Sequence, residues 1–207
     1  MSDVHVSLES KHARNGRNIL FSRESSIVSV MDRQSHWYAL KVFFNKVFEI
    51  EDHLKARGIE SYFPTETVLV EKDGKKKKVR RPVISSLVFF RSTRHSALEQ
   101  QKELTDRVLL YVERIGYSRE PVAIPDAEME RFRLVASSGE DGLEYFGCDS
   151  PEFRKGEHVR VIDGPFKGAE GYIRRVKGNH RLFVSIRGVC AVATSYIPRI
   201  FLKKIEP

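Results

Sequence analysis

Cysteine, tryptophan and long apolar runs are scarce in this 207-residue sequence. It holds two cysteines and one tryptophan. Cys148 and Cys190 lack CxxC spacing and neighbouring histidines, so we expect two free thiols rather than a disulfide or a zinc site. No apolar run approaches the roughly 18–20 residues that span a bilayer, and Met1–Ser10 lacks the basic and apolar segments of a signal peptide. We therefore expect a cytoplasmic protein without membrane contact.

Motifs for catalysis and cofactor binding are absent as well. The sequence contains no HExxH, GxSxG or phosphate-binding glycine loop, and its seven histidines are scattered without metal-ligand spacing. Ser85-Ser86 has no neighbouring base in the sequence that would activate a nucleophile. We therefore predict that the protein is not an enzyme and that it requires no metal and no other cofactor.

The charge balance is basic, with a formal net charge of +8. Such a balance favours nucleic acid or an acidic protein surface as a partner, although charge that merely maintains solubility is the alternative. The segment 152–207 carries twelve basic and five acidic residues, whereas 35–138 carries nineteen and fifteen. The excess of positive charge is therefore densest near the end of the chain.

Composition divides the chain into four segments. Residues 1–34 lack a hydrophobic period and are predicted to be a disordered extension. Residues 139–151 hold three glycines, Pro151 and four acidic residues, which predicts a linker. Two domains are therefore expected, over residues 35–138 and 152–207.

The first predicted domain alternates strands and helices. His36–Phe43 is rich in β-forming residues, and Val47, Ile50 and Leu54 recur at helical spacing. Pro125 is placed to begin a further helix. This order of elements predicts an α+β fold in which an antiparallel sheet carries helices on one side.

A basic hairpin interrupts that domain. Asp73-Gly74 is a strong turn signal, and the segment 71–81 around it carries seven basic and two acidic residues. Clustered cations can neutralise phosphates, but lysines on an exposed strand also deter sheet-to-sheet pairing. The candidate contacts to nucleic acid or to an acidic protein subunit are Lys75, Lys76, Lys77, Lys78, Arg80 and Arg81.

The second predicted domain consists of short strand-like runs separated by glycine and asparagine, which is typical of a small β-barrel. Gly156 and Asp163-Gly164-Pro165 supply tight turns. Gly171 is placed where two chain segments approach closely, and Phe166 is expected in the core.

Two stretches carry a resemblance to a known family. Residues 153–173 resemble the KOW motif of the NusG family of transcription elongation factors. Residues 36–136 resemble the N-terminal (NGN) domain of the same family, through Trp37-Tyr38, Phe63-Pro64-Thr65-Glu66, the basic hairpin and Pro125. The resemblance implies a NusG-type α/β sandwich followed by a small all-β, SH3-like KOW barrel.

The resemblance also implies a function. Members of the family bind RNA polymerase through an apolar patch that grips the β′ clamp helices, reach towards the β subunit and lie against upstream or non-template DNA. They suppress pausing and termination as monomers, while the barrel recruits further partners. By position in the family, the polymerase-binding residues would be Tyr38, Phe43, Pro64, Ile84 and Leu87.

Two departures from the family pattern indicate a specialised paralogue. The usual Pro-Gly-Tyr is replaced by Ser85-Ser86-Leu87, and the Ile-Phe-Gly-Arg loop of the barrel is replaced by Ile186-Arg187-Gly188-Val189. We therefore expect an antiterminator of the RfaH or UpxY type, the latter serving polysaccharide operons. Candidate contacts of the barrel to a ribosomal protein or RNA are Arg174, Arg175 and Arg187, although a solvated turn also accounts for the first two. A ribosome-associated or RNA-binding KOW protein remains the alternative function.

Overall fold

The structure, a computed structural model, describes residues 34–72, 74–147 and 156–205. The helices of this part of the chain are α1 (Val47–Ala56), α2 (Arg94–Glu103) and α3 (Asp126–Ala136). The strands of the first half are β1 (His36–Val42), β2 (Ser61–Tyr62), β3 (Thr65–Lys72), β4 (Lys75–Pro82), β5 (Leu87–Ser92), β6 (Val108–Leu110), β7 (Val112–Ile115) and β8 (Ser118–Pro121). The strands of the second half are β9 (Glu144–Gly147), β10 (Glu157–Val161), β11 (Glu170–Val176), β12 (Asn179–Ile186), β13 (Cys190–Ala193) and β14 (Leu202–Lys204). The predicted extension before Gln34 and the thiol of Cys148 lie outside the described residues.

The first sheet is antiparallel and has the strand order β2-β5-β1-β6. Side chains alternate along β1, so that Tyr38 and Leu40 face the side of the sheet covered by α1 and α2, whereas Trp37 and Ala39 face the side covered by α3. Helices therefore cover both faces of the antiparallel sheet. The α+β class is confirmed, but the prediction that the helices lie on one side is wrong, because β1 carries buried apolar residues on both of its faces.

Local signals in the sequence account for the helix boundaries. Gly58 follows the end of α1 with φ +68°, a conformation that glycine adopts at little cost. The hydroxyl oxygen of Thr93 accepts a hydrogen bond from Ser96 N at the start of α2. Pro125 precedes α3. The negative charge of Asp126 in the first turn interacts favourably with the positive end of the helix dipole.

Two hairpins project from this domain, and the sequence predicted only one of them. The β3–β4 hairpin turns where Asp73-Gly74 was expected to turn, although Asp73 itself lies outside the described residues. The segment 108–115 divides into β6 and β7. The β7–β8 hairpin then closes through Gly116-Tyr117, with Ile115 opposite Ser118.

The second half forms a six-stranded antiparallel sheet in the order β14-β10-β11-β12-β13-β9. Strand β9 lies within the segment that was predicted to be a linker, and its Tyr145 pairs with Val192 of β13. The four acidic residues of segment 139–151 do not predict a strand. Strand β9 forms nonetheless, because an edge strand pairs through its backbone and tolerates charged side chains. The division into domains at residues 138 and 152 stays a prediction, although β9 shows that part of the predicted linker belongs to the second sheet.

Close packing inside the second sheet explains two predicted positions. A Cβ atom at Gly171 would lie 2.3 Å from the carbonyl oxygen of Phe183 on the neighbouring strand, so only glycine fits there. Phe166 is 3% exposed and fills the core, as expected. The apolar cluster that contains it is continuous with Phe132 of α3, and the two halves of the chain therefore share one core region.

Candidate functional site

Three segments meet at the end of β1. Val42 N donates a hydrogen bond to Ser86 O at 2.9 Å, which holds the turn before β5 against the end of β1. Phe43 N donates to Arg107 O, also at 2.9 Å, which holds the turn before β6 on the other side. Lys41 lies opposite Leu87 on one neighbouring strand and opposite Leu109 on the other.

This end of the sheet exposes apolar side chains. Phe44 is 78% exposed and Leu109 is 53% exposed, while Phe43 and Ile84 are half-buried. We call these four residues the β1-end surface. Most exposed apolar residues on proteins are scattered singly, whereas contiguous ones mark interfaces. Phe43 and Phe44 are in ring contact, and backbone hydrogen bonds join their segment to the turns that carry Ile84 and Leu109, so this end of the sheet is suited to contact with another macromolecule.

The backbone of the loop after β1 is strained. Phe44 has φ +59° and Asn45 has φ +56°, and in the turn before β6 Asp106 has φ +68°. Left-handed backbone is uncommon outside glycine, and for a bulky residue such as phenylalanine it is unfavourable by about 1–2 kcal/mol. Strained residues of this kind concentrate at functional sites, and here the strain turns the ring of Phe44 outwards.

Three of the five residues predicted to bind polymerase are buried. Tyr38 and Leu87 are each 2% exposed, and Pro64 is also buried. Tyr38 points into the core beneath α1 and α2, because it alternates with Trp37 on β1. Leu87 shares its face with Phe89 and packs into the cluster that includes α3. The expectation that Leu87 is an exposed contact is therefore wrong for this arrangement, whereas Phe43 and Ile84 remain accessible.

The basic hairpin is exposed along its length. The side chains of Lys75 to Lys78 and of Arg81 are all exposed, and none has an ion-pair partner among the described residues. The strand register places Lys76 opposite Glu71 and Lys77 opposite Val70. The hairpin therefore presents positive charge on both of its faces.

Arg80 differs from the other cations of the hairpin. Its guanidinium lies 3.2 Å from the Glu51 carboxylate of α1 and 4.9 Å from the ring centre of Phe63. Burial by itself would raise the pKa of Glu51, but its hydrogen bonds and ion pairs with Lys55 and Arg80 outweigh burial and lower that pKa. Arg80 thus fastens the hairpin to the domain, a role that the sequence did not indicate.

The three arginines predicted on the barrel do not form one site. Arg174 lies over the ring of Phe183, with 5.3 Å to the ring centre, and Arg175 Nε donates to Gly178 O in the turn between β11 and β12. Arg187 follows the opposite end of β12. Any partner contact through these residues would therefore involve two separate surfaces.

The barrel sheet packs on α3 through polar as well as apolar contacts. Arg187 N donates to Glu128 Oε1 at 2.5 Å, and Arg131 Nη1 lies 3.1 Å from Glu170 Oε2. Arg160 also pairs with Glu170. Burial alone would raise the pKa of Glu170, but the two arginines prevail and hold that pKa below its usual value. The loop that replaces the family's Ile-Phe-Gly-Arg motif therefore lies against the first domain.

Two kinds of feature are absent from residues 34–72, 74–147 and 156–205. No group of three or more histidine, cysteine or acidic side chains is arranged to hold a metal ion. No helix in these ranges has the length and apolar character needed to cross a bilayer. Cys190, the cysteine within these ranges, is buried.

Sequence reasoning missed Phe44, Leu109 and Glu51 as site residues. Leu109 is exposed because β6 is a short edge strand, and nothing in the local sequence indicates that β6 lies at the edge of the sheet. Asn45 was a usable signal, since asparagine is enriched in left-handed backbone. Glu51 required knowledge of the contact between α1 and the hairpin, which are separated in sequence.

Comparison with known proteins places these features in a family. The family model for transcription termination factor NusG matches residues 35–133. The chain is 30% identical to the transcription termination/antitermination protein NusG of Pseudomonas aeruginosa over 60% of this chain and 70% of the relative. It is 27% identical to the NusG protein of Escherichia coli (strain K12), in a match that covers 75% of this chain and 89% of the relative. It is 28% identical to that of Pasteurella multocida, in a match that covers 75% of this chain and 88% of the relative.

Among solved structures, the chain resembles "Domain interaction in Thermotoga maritima NusG", with 18% identity, a TM-score of 0.40, and coverage of 84% of this chain and 98% of that chain. The family assignment depends on the sequence matches, and the family model covers the helix-flanked sheet. The chain belongs to the NusG family.

Proposed function

We propose that this protein is a transcription elongation and antitermination factor that binds RNA polymerase and acts without catalysis. Its relatives are transcription termination/antitermination proteins, and NusG-family proteins are transcription factors rather than enzymes. The proposed role is to hold the transcribing polymerase in an active state, and its place of action is the cytoplasm, where the polymerase works.

The observation that carries this proposal is the meeting of three chain segments at the end of β1. Two backbone hydrogen bonds, from Val42 to Ser86 and from Phe43 to Arg107, fix the relative positions of the exposed apolar residues. An apolar surface that is preorganised loses little conformational freedom on binding. We assign the contact with the β′ clamp helices to Phe43, Phe44, Ile84 and Leu109 rather than to the buried members of the predicted set.

The basic hairpin supplies a second contact in this proposal. Its free lysines would lie against upstream or non-template DNA, or against an acidic surface of the β subunit. Contact with phosphates releases counterions and depends on salt, whereas the apolar contact through the β1-end surface does not depend on salt in this way. The two contacts can therefore be separated by titrating salt.

Two departures from the family pattern support a specialised member of the family. Ser85-Ser86-Leu87 replaces the family's Pro-Gly-Tyr, and Leu87 is turned into the core. Arg187 replaces the phenylalanine of the family's barrel loop, and its backbone engages Glu128 of α3. We propose a paralogue that serves particular operons, such as polysaccharide operons, and that uses barrel partners other than those of the housekeeping factor.

A binding experiment with isolated β′ clamp helices tests the polymerase contact. Ile84→Asp and Phe44→Asp introduce a charge into the β1-end surface, and each is expected to reduce affinity at least tenfold because an unpaired charge in an apolar interface is unfavourable by several kcal/mol. Ile200→Asp is the matched control, since Ile200 is 79% exposed on the second domain. Circular dichroism and thermal melting verify that each variant is folded.

The outcomes of this experiment are distinct. Loss of binding by the two β1-end variants, with the control unchanged, supports the proposal. Unchanged affinity of folded Ile84→Asp and Phe44→Asp would refute the assigned surface. Retention of ribosomal proteins but no polymerase subunits from a nuclease-treated lysate would refute the function and favour the ribosome-associated alternative.

A further inference from the structure

The β7–β8 hairpin is an exposed element to which the proposed function gives no role. Its base is held in place, because Tyr111 N donates to Ala39 O and Val122 N donates to Tyr111 O, each at 3.0 Å. A second attachment joins Glu120 of β8 to Arg94 of α2, whose Nη2 lies 2.7 Å from the carboxylate. Beyond these contacts the hairpin projects from the domain.

The tip of the hairpin exposes an aromatic ring. Tyr117 has a relative exposure of 104%, more than any other large apolar or aromatic residue recorded as exposed in the described part of the chain. It makes no ring contact with another described residue. Both faces of the Tyr117 ring are therefore available to a flat partner, and such a partner would remove apolar surface from water.

Two arginines face each other directly below this tip. The antiparallel register pairs Arg114 with Arg119, and both side chains are exposed. Cross-strand neighbours have Cβ atoms about 4.5–5.5 Å apart, and like charges placed this closely destabilise a sheet. Neither arginine has an acidic partner among the described residues. An anion between the two guanidinium groups would relieve their repulsion.

The acidic residues of the hairpin do not neutralise this pair. Glu113 lies opposite Glu120, one position further along each strand, so their side chains point to the other face of the hairpin. Glu120 is engaged by Arg94 through both Nε and Nη2. The face that carries Arg114 and Arg119 therefore holds no acidic residue of the hairpin, only the apolar pair Val112 and Pro121 beside the two arginines.

We propose that the β7–β8 hairpin is a binding site for single-stranded nucleic acid. Arg114 and Arg119 would clamp one backbone phosphate, since guanidinium groups form charge-assisted hydrogen bonds with phosphate oxygens. The Tyr117 ring would stack on the adjacent base, which must be unpaired to offer its face. The site extends the proposed function, but it depends on nucleic acid alone and not on contact with polymerase.

The test measures binding of the full chain to a fluorescein-labelled 12-nucleotide single strand, of DNA and of RNA, by fluorescence anisotropy. The strands have a mixed sequence, and the matching 12-base-pair duplex is compared. All variants are made in a background in which Lys75 to Lys78 are replaced by glutamine, so that the basic hairpin does not mask the second site.

Two kinds of variant separate charge from stacking. R114Q/R119Q is expected to weaken single-strand binding about tenfold and to flatten its dependence on salt. Y117A is expected to weaken it by about five- to a hundredfold, the range for loss of one stacked base, while Y117F retains the ring and binds normally. The control K102Q/K203Q removes two exposed cations elsewhere and leaves affinity within about twofold.

The result that would overturn the proposal is equally definite. It fails if R114Q/R119Q and K102Q/K203Q bind the single strand alike, if Y117A matches Y117F, or if the parent protein prefers the duplex. It also fails if the variants bind nucleic acid normally but lose an acidic protein partner, because the pair would then be a protein contact. Binding of β′ clamp helices is measured in parallel and should not change.

Discussion

Arg80 on the β3–β4 hairpin and Glu51 on helix α1 form a two-point contact, with Nη1 3.2 Å from Oε2 and Nη2 3.3 Å from Oε1. The same guanidinium lies over the rings of Phe48 and Phe63. A planar cation can satisfy a carboxylate and stack on aromatic faces at once, whereas an ammonium group cannot. This relationship gives an otherwise solvent-exposed hairpin a defined orientation relative to the domain.

Replacing Arg80 with lysine should loosen the hairpin. Lysine preserves the charge but loses the two-point contact and the stacking, and we expect unfolding free energy to fall by about 1 kcal/mol. Amide hydrogen exchange across 65–82 should accelerate. Arg81→Lys is the control, because Arg81 lies on the neighbouring position and faces the other side. Equal exchange in both variants would contradict the role given to Arg80.

Replacing Lys75, Lys76, Lys77 and Lys78 with glutamine should weaken association with elongation complexes in a salt-dependent manner. Each phosphate contact contributes to the slope of log affinity against log salt, by roughly 0.9 per contact on duplex DNA. The measurement is affinity for a reconstituted elongation complex at several salt concentrations. A slope identical to that of the unmodified protein would show that these lysines contact no phosphate.

Replacing Phe44 with glycine should stabilise the protein relative to replacement with alanine. Both variants remove the exposed ring, but alanine retains the Cβ atom that makes the left-handed backbone of Phe44 unfavourable. We expect the free energy of unfolding of the glycine variant to be about 1 kcal/mol higher than that of the alanine variant. Chemical denaturation with equal m-values measures the difference. A more stable alanine variant would mean that the loop does not keep φ near +59°.

Replacing Gly171 with alanine should destabilise the barrel. The added methyl group would lie 2.3 Å from Phe183 O, a backbone atom that cannot move without disturbing β12. The expected loss is about 1–3 kcal/mol of unfolding free energy. Gly147→Ala is the control, because a Cβ atom there meets nothing within 4 Å and its φ is not positive. Similar melting temperatures for the two variants would refute the close approach.

The contact between α3 and the barrel should weaken in acid. The pKa of Glu170 is lowered in the folded protein, so its ion pairs with Arg160 and Arg131 stabilise the fold above the ordinary carboxyl pKa of 4.5. That contribution is lost as pH falls below 4.5 and through the lowered pKa. Nuclear magnetic resonance relaxation at each pH reports whether the two halves tumble together.

Glu170→Gln should reproduce the acid effect at neutral pH, because it removes the charge without changing the shape. Glu157→Gln is the control, since Glu157 pairs only with Lys204 on the barrel itself. If Glu170→Gln leaves the tumbling of the two halves coupled and acid alone separates them, other carboxylates hold this contact.

The sequence predicted much of the fold because most of its signals are local. The alternation along β1, the turn at Asp73-Gly74 and the break at Gly58 each depend on a few adjacent residues. The second hairpin escaped prediction because its strands, Val112–Ile115 and Ser118–Pro121, are short and half charged and lack the alternating apolar residues of a half-buried strand.

The candidate site was less accessible to sequence reasoning. Tyr38 and Leu87 are apolar residues of β-strands, and either could lie in the core or at an interface; only the register and the helices packed on each face settle that both are buried. Phe43 follows the end of β1 and Ile84 precedes β5, and both are only half-buried.

The amino-acid sequence by itself determined the two-part architecture, the basic hairpin and the membership of a family, because hydrophobic periodicity, turn residues and charge density depend on residues that are adjacent in the chain. Tertiary structure alone decided which apolar side chains remain at the surface, that Arg80 fastens the hairpin to α1, and that Arg114 and Arg119 face each other across the β7–β8 hairpin. Those features depend on contacts between segments far apart in the chain, and burial and charge pairing are set only when these segments meet.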